Sequence, residues 1–280
     1  MSFITAARLV ADGLDEFVLL PRDDWRMSDL DIATPSPRRV ENPRAGADGV
    51  DDETRFHGPS EVTFAGAVVD GWGTVDRLAS FCRPDLRPFL YFSVDGASER
   101  RMRLSYESLS RPLTAGEPGL VRVQVQWRAP DGVAESVDEQ VQLVNPAGDE
   151  DGRSYDLSFD RSWPESQGRG RVEIVNEGSA TAYPVFRIYG PLTDPLVENE
   201  TSGRQLSFDL EVSQGDYLEV DTANRTIRLN GLEVNNRYDT LDFPTSQWFG
   251  LRPGVNLIRF APETSSAPAV CEVRWRGAWL

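Results

Sequence analysis

Catalysis and metal binding need nucleophiles, bases or ligands at workable spacing, and this chain of 280 residues holds few of them. It has one histidine, His57, and two cysteines, Cys82 and Cys271. Ser-His-Asp or Cys-His catalysis would have to pass through His57. That residue sits in ETRFHGPSEV, where a loop enters a strand, a setting in which histidine commonly serves as a surface or hydrogen-bonding residue. One histidine and two distant cysteines supply no paired spacing for zinc. The cysteines read as free thiols in separate domains, because disulfide scaffolds are short and cysteine-dense. All 29 basic residues are arginine. Without lysine there is neither a Walker-type phosphate loop nor Schiff-base catalysis.

Carboxylates are abundant, with 45 Asp and Glu. Asp48, Asp51, Asp52 and Glu53 cluster in GADGVDDE. Clustered carboxylates suit hard cations, but this stretch lacks the alternating Asp/Asn spacing and closing glutamate of an EF-hand loop. It reads as a solvated loop, a candidate acidic lumen or interface loop. No local motif selects a carboxylate pair for glycoside hydrolysis. No catalytic, cofactor-binding or metal-binding residues are therefore assigned, and no enzyme activity is expected. The net charge is −16, with 17 Arg against 29 acids in residues 1–160 and 12 against 16 in 161–280. Such a surface repels phosphate, so sequence-specific nucleic-acid binding is not expected.

Seven tryptophans and seven tyrosines raise a second possibility, since aromatic rings stack on pyranose faces. Trp127, Trp248 and Trp275 lie in apolar strand patterns and read as core, whereas Trp25 and Trp163 lie in polar stretches and read as exposed contacts. Asn199-Glu200-Thr201 and Asn224-Arg225-Thr226 match the glycosylation pattern, which carries no meaning for a protein made in the cytosol. The N-terminus, MSFITAARLVADG, lacks the charged start and long apolar core of a signal peptide, and no apolar run reaches a membrane span.

The elements that would position these residues are mostly strands. Ile4–Val10 and Phe17–Leu20 flank an Asp12-Gly13 turn. Residues 21–60, rich in Pro, Asp, Arg and Gly, read as a long loop. Val62–Val69 follows as a strand. The spacing predicts one helix over Thr74–Cys82, with Val75, Leu78, Ala79 and Cys82 on one face, Thr74 as N-cap, Asp76 in the first turn and Pro84 as stop. Phe89–Val94 and Arg101–Ser108 flank Asp95-Gly96. Val121, Val123, Val125 and Trp127 alternate with Arg122, Gln124, Gln126 and Arg128, a period of two that splits core from solvent. Val137–Val144 returns after the APDG turn. The polar, glycine-rich stretch 145–170, with a candidate strand at Tyr155–Phe159, marks a boundary near 160. Seven strands then follow: Gly170–Asn176, Val185–Gly190, Gln205–Val212, Tyr217–Asp221, Thr226–Leu229, Asn256–Phe260 and Ala269–Trp275. Their number and spacing predict a sandwich. The expected fold class is all-β with one short helix, in two β domains, 1–160 and 161–280.

Beyond these patterns, NEGSATAYPVFRIYGP, LSFDLEVSQGDYLEVDTANRTIRLNG, SQWFGLRPGVNLIRF and WRGAW occur in an order and spacing that resemble siphophage distal tail proteins. In the N-terminal half, PRAGADGVDDETRFHGPSEVTFAG, FLYFSVDGASERRMRLSYESLSRPL and the strand pair ending in LVNPA resemble the same family. The resemblance implies a phage minor tail protein. It implies an N-terminal ring-forming β domain and a galectin-like C-terminal β-sandwich. The ring, usually hexameric, would sit at the distal end of the tail tube, pass DNA at ejection and join the tube to the tail-tip hub and receptor-binding proteins. The virion tail tip, assembled in host cytoplasm, would be its location. No catalytic residues and no cofactors transfer with the resemblance, and no membrane association is implied. A competing reading is a carbohydrate-binding module that attaches to host cell-surface glycan, because sandwiches host many functions. Exposed aromatic residues clustered on one concave face would favour that reading.

Overall fold

The structure is a computed structural model that describes residues 4–21, 25–43, 50–69, 71–111, 120–146 and 170–280, with the backbone alone for 39–43, 50–56, 69 and 120. The chain divides into two compact units, Met1–Val137 with Trp279–Leu280, and Asp138–Ala278. The boundary expected near 160 and the strand expected at Tyr155–Phe159 lie outside the described residues.

The first unit contains β1 (Ile4–Val10), β2 (Phe17–Val18), β3 (Trp25–Ile32), β4 (Pro37–Pro43), β5 (Val50–His57), β6 (Ser60–Val69), α1 (Trp72–Phe81), β7 (Phe89–Val94), β8 (Arg100–Arg103), β9 (Ser105–Ser110), β10 (Leu120–Ala129) and β11 (Ala134–Ser136). β2-β1-β7-β8-β11 run in that order in one sheet, and β3-β6-β10-β9 form a second. The stretch Arg101–Ser108, read as one strand, is two: β8 and β9 belong to different sheets, and Leu104 between them is fully buried.

Residues 21–60 are the main departure from the sequence reading: they hold β3, β4 and β5 rather than a long loop. In β3 a register shift between Met27 and Asp29 moves the buried positions from Trp25 to Leu30. One extra residue flips every later side chain to the other face, which erases the period of two. β4 and β5 pair with each other in a separate two-stranded ribbon and not with either sheet.

The helix is present but frames differently. It begins at Trp72 with Gly71 as N-cap, and no side chain caps it, so Thr74 does not take that role and Asp76 lies beyond the first turn. Its buried face is Val75, Leu78 and Phe81, while Cys82 is only half-buried. Phe81 wins the inner position because it meets Phe17, with ring centroids 6.3 Å apart.

The core of this unit is a chain of rings. Phe17 meets Trp25 edge-on at 5.5 Å, Trp25 stacks on Phe64 at 5.1 Å, and Phe64 lies 6.4 Å from Trp127. Trp25 was expected to be exposed, yet it is 2% exposed, and its indole N–H donates to the Leu19 carbonyl at 2.8 Å. That bond removes the polar penalty of burying tryptophan. Gly66 makes room for the ring: a Cβ there would lie 2.9 Å from Trp25 Cζ2. β10 alternates as read, with Val123, Val125, Trp127 and Ala129 buried between exposed Arg122, Gln124 and Arg128.

The second unit contains β12 (Gln140–Val144), β13 (Arg171–Asn176), β14 (Val185–Tyr189), β15 (Leu192–Thr193), β16 (Leu196–Asn199), β17 (Arg204–Ser207), β18 (Glu211–Val212), β19 (Tyr217–Asp221), β20 (Thr226–Leu229), β21 (Gly254–Phe260), β22 (Thr264–Ser265), β23 (Val270–Trp275) and β24 (Ala278–Trp279), whose last residue belongs to the first unit. β12-β23-β14-β19-β20 form one sheet and β13-β21-β16-β17 another, with β18-β15-β22 as a small third. Phe186, Ile188, Leu218, Val220, Cys271 and Val273 from the five-stranded sheet are buried, as are Ile174, Val197, Leu206, Ile258 and Phe260 from the four-stranded one. This is the expected β-sandwich, with period-two alternation on both sheets. Gln205–Val212, read as one strand, is again two strands in different sheets. Among the described residues no helix is long and apolar enough to cross a membrane.

Two substitutions test the ring core. Trp25→Ala should cost about 3–5 kcal/mol of unfolding free energy by opening a cavity. Gly66→Val should cost about 1–3 kcal/mol by overpacking against the same ring. Urea titration followed by tryptophan fluorescence reads both, and a Gly66→Val protein as stable as the parent would show that the ring does not need that gap.

Candidate functional site

The residues best suited to reaction chemistry do not come together. His57 is exposed at the end of β5, where it is paired in register with Pro37. Cys82 and Cys271 lie in different units, and both are free. Burial pushes the Cys82 thiol up to about 12 against a smaller opposing pull from Arg111, and burial also raises Cys271, helped by Glu272. A thiol held neutral is a poor nucleophile and a poor metal ligand. Among the described residues no three His, Cys, Asp or Glu side chains gather into a metal-binding group.

The sequence motifs instead meet at a structural site. Asn176, 1% exposed, ends β13. Its side-chain amide donates to the carbonyls of Ala180 at 2.8 Å and Leu251 at 3.0 Å. Its side-chain oxygen accepts the N–H groups of Gly178 at 3.0 Å and Ala278 at 3.4 Å. Ala182 and Leu251 exchange backbone hydrogen bonds beside it, at 3.0 and 2.7 Å. Gly178 must be glycine, since a Cβ there would fall 1.7 Å from the Ala278 carbonyl oxygen. NEGSATAYP, SQWFGLRPG and WRGAW, far apart in sequence, are thus closed onto one another by a single amide.

A second buried pair works the same way. Asn256, fully buried, donates to the carbonyls of Arg252 and Gly254 and accepts the Arg252 N–H, which closes the RPGVN turn. Asn199 donates to the Asn256 side-chain oxygen at 3.3 Å. The first glycosylation match therefore lies on a fully buried residue already bonded inside the unit. Asn224 of the second match donates to Asp221 at 2.7 Å and serves the β19–β20 turn.

The outer sheet faces carry ion pairs, and on the five-stranded sheet Tyr189 and Tyr217 lie beside them with ring centroids 5.3 Å apart. On the five-stranded sheet Arg187 contacts Glu219 at 3.0 Å and Arg274 contacts Glu139 at 3.4 Å. On the four-stranded sheet Arg171 contacts Glu200 at 2.7 Å and Arg259 contacts Glu198 at 3.2 Å. Exposed pairs of this kind contribute about 0–1 kcal/mol each, so they keep the faces soluble more than they hold the fold. Aromatic residues do cluster elsewhere. Tyr238 lies 5.6 Å from Phe243 and 6.3 Å from Trp248 by ring centroids, on the segment between β20 and β21. Trp248, read as core, is half-buried there, whereas Trp127 and Trp275 are buried as read. Trp163 lies outside the described residues.

Of the acidic cluster, Asp48 lies outside the described residues, and Asp51, Asp52 and Glu53 fall on β5 rather than in a loop. The ribbon register sets Asp52 opposite Glu41 and Arg55 opposite Arg39. Like charges directly opposite destabilise a strand pair. The sequence showed the charges, but only the register revealed the pairing.

Residues 177–279 match the family described as "Siphovirus-type tail component, C-terminal domain". The C-terminal unit is a siphovirus-type tail component domain. That match begins one residue after Asn176, takes in the segments its amide closes and bears out the family resemblance for this part of the chain. The crystal structure of SPP1 Dit (gp 19.1), described as a paradigm of the hub adsorption apparatus in Gram-positive infecting phages, aligns with a TM-score of 0.62 and 14% identity, over 99% of this chain and 100% of that one. The shared fold therefore extends through both units of the chain. The phage P2 baseplate in its activated conformation with Ca aligns at a TM-score of 0.43 and 11% identity, over 99% and 98%. No curated protein matches the chain.

Two expectations follow. Asn176→Ala strands three buried backbone groups, the Ala180 carbonyl and the Gly178 and Ala278 N–H groups, each worth about 1–3 kcal/mol, while the Leu251 carbonyl keeps the Ala182 N–H, so the C-terminal unit should unfold at much lower urea than the parent; an unchanged midpoint would remove Asn176 from its central place. Raised thiol pKa values mean that the folded state resists ionisation above the ordinary value of 9.0. Stability is then unaffected by the thiols below pH 9 and declines as pH climbs from 9 towards about 12. Cys82→Ala should flatten part of that decline in pH-dependent melts.

Proposed function

We propose that this tail component forms a ring, hexameric as the family resemblance implies, at the distal end of the tail tube. The ring joins the tube to the tail-tip hub and receptor-binding proteins, passes DNA through its lumen at ejection and works without catalysis. Assembly takes place in the host cytoplasm before the tail is completed.

The observation that carries this reading is the β4–β5 ribbon. It pairs with neither sheet, and it sets Glu41 opposite Asp52 and Arg39 opposite Arg55. A lone two-stranded ribbon is marginal in water, and like-charge pairs weaken it further. A neighbouring subunit that supplied opposite charges and covering surface would stabilise it. In this arrangement Asp51, Asp52 and Glu53 serve as interface residues or line an acidic lumen that DNA passes without adhering. The likeness in fold to SPP1 Dit, over nearly the whole of both chains, supports the same reading.

Cryo-electron microscopy of the source virus tests it. The expected result is a ring of these subunits at the end of the tail tube, with the ribbon reaching the next copy. Absence of the chain from the tail would overturn the proposal. Replacing residues 38–56 by a short turn should leave a folded protein that no longer enters the ring, read by incorporation into virions and by native mass spectrometry.

A further inference from the structure

The second unit protects three of the four edges of its two larger sheets. Along β17 the Ser207 and Gln205 carbonyls accept the Asp242 and Gln247 N–H groups at 2.9 and 2.8 Å, and the Ser207 N–H donates to the Ser246 hydroxyl at 3.0 Å. Along β20 the Ile227 carbonyl accepts the Arg237 N–H at 2.9 Å, and Arg228 bridges to Asn236. β13 carries exposed charges, Arg171 and Glu173, and its Val175 carbonyl accepts the Trp275 indole N–H at 3.2 Å. Covers and charges of this kind keep an edge strand from pairing with another chain.

The fourth edge is β12, and it has none of these devices. It pairs with β23 along its whole length without a bulge. Its residues, Gln140 to Val144, include no charge and no proline. Among the described residues nothing pairs with its other side. Its alternation is also inverted. Gln142 stands opposite Val273, a core residue, whereas Val141 and Leu143 stand opposite Arg274 and Glu272 on the outer face. There they are 46% and 56% exposed. An uncovered apolar pair thus lies beside an open strand edge.

The strand is complementary to itself. Antiparallel pairing of two β12 strands centred on Gln142 sets Val141 of each copy opposite Leu143 of the other. Both pairs fall on the outer face, so each apolar side chain gains a cross-strand neighbour. Charge favours the same arrangement. Glu139 falls opposite the uncharged Asn145 of the other copy, and its own charge is met by Arg274 at 3.4 Å and Arg276 at 4.0 Å. A parallel arrangement would bring the two Glu139 residues together. At a net charge of −16 two copies repel each other, and an uncharged strand lets them meet without setting acid against acid.

We propose that β12 is a docking edge for a second copy of this chain, whose own β12 adds antiparallel across a two-fold axis and joins the two five-stranded sheets into one. One strand pair and two apolar side chains from each copy make a small interface, so the dimer is weak and reversible. The proposal does not rest on the ring reading, because a two-fold contact uses the same patch on both copies, whereas a ring of six closes through two different patches.

Sedimentation equilibrium of the full-length protein over a rising concentration series tests this. The expected result is a dimer whose dissociation constant rises about tenfold or more in V141R/L143R, where arginine would stand opposite arginine. Thermal melts establish that the variant is folded. Gln142→Cys gives a second readout and keeps the test valid if the double variant does not fold. The two-fold register sets position 142 opposite itself, with Cα atoms about 4.5–5.5 Å apart, within reach of a disulfide. Mild oxidation should yield a covalent dimer that the parent, which keeps Cys82 and Cys271, does not form. A parent that stays monomeric overturns the proposal, whether the edge remains open or takes a strand from a different tail protein. So does a dimer that V141R/L143R leaves intact. A larger assembly without the Gln142→Cys cross-link would overturn this edge and leave the ring reading standing.

Discussion

A buried amide that must satisfy every polar atom around it is the constraint on which the C-terminal unit depends. Asn176 answers two carbonyls and two N–H groups from three separate chain segments. The Leu251 carbonyl also accepts the Ala182 N–H, but the other three groups sit on buried residues and would otherwise carry a desolvation cost. The segments it joins are distant in sequence and are the ones that carry the family likeness. Their shared feature is therefore a closure of backbone groups, not a reactive site. Asn256 and Asn199 repeat the device at the neighbouring turn, so three buried asparagines do by hydrogen bonding what apolar packing cannot do for irregular backbone.

The N-terminal unit solves a different problem by a different means. Its two sheets and one helix meet through Phe81, Phe17, Trp25, Phe64 and Trp127, and the glycine at 66 leaves the gap that Trp25 fills. Aromatic rings cover large areas with few rotatable bonds, which lets a small set of residues fill the space between short strands. The ribbon of β4 and β5 stands outside this arrangement. Its two strands pair only with each other among the described residues, a cost within one subunit that an assembled particle can offset.

Much was legible in advance. The period of two in Val121–Trp127 and the turns at Asp12-Gly13 and Asp95-Gly96 survive in the structure with their stated meaning. What failed to show follows from specific physical causes. The bulge in β3 reversed the alternation that would have revealed a strand, and with it the burial of Trp25. Arg101–Ser108 and Gln205–Val212 each cross from one sheet to another without a turn residue to mark the change. The half-exposure of Trp248 escaped because it sits in an apolar pattern, and only the structure shows that its neighbour Phe249 takes the buried place.

By itself, the sequence determined the all-β class, the sandwich in its C-terminal half, the poverty of reactive groups and the family likeness, because these rest on composition, local periodicity and residue order. Tertiary structure alone decided which asparagines close the turns, which tryptophans are buried and which residues the ribbon register sets opposite each other. Those outcomes depend on register and on contacts between residues up to a hundred positions apart, and no local pattern in the chain encodes them.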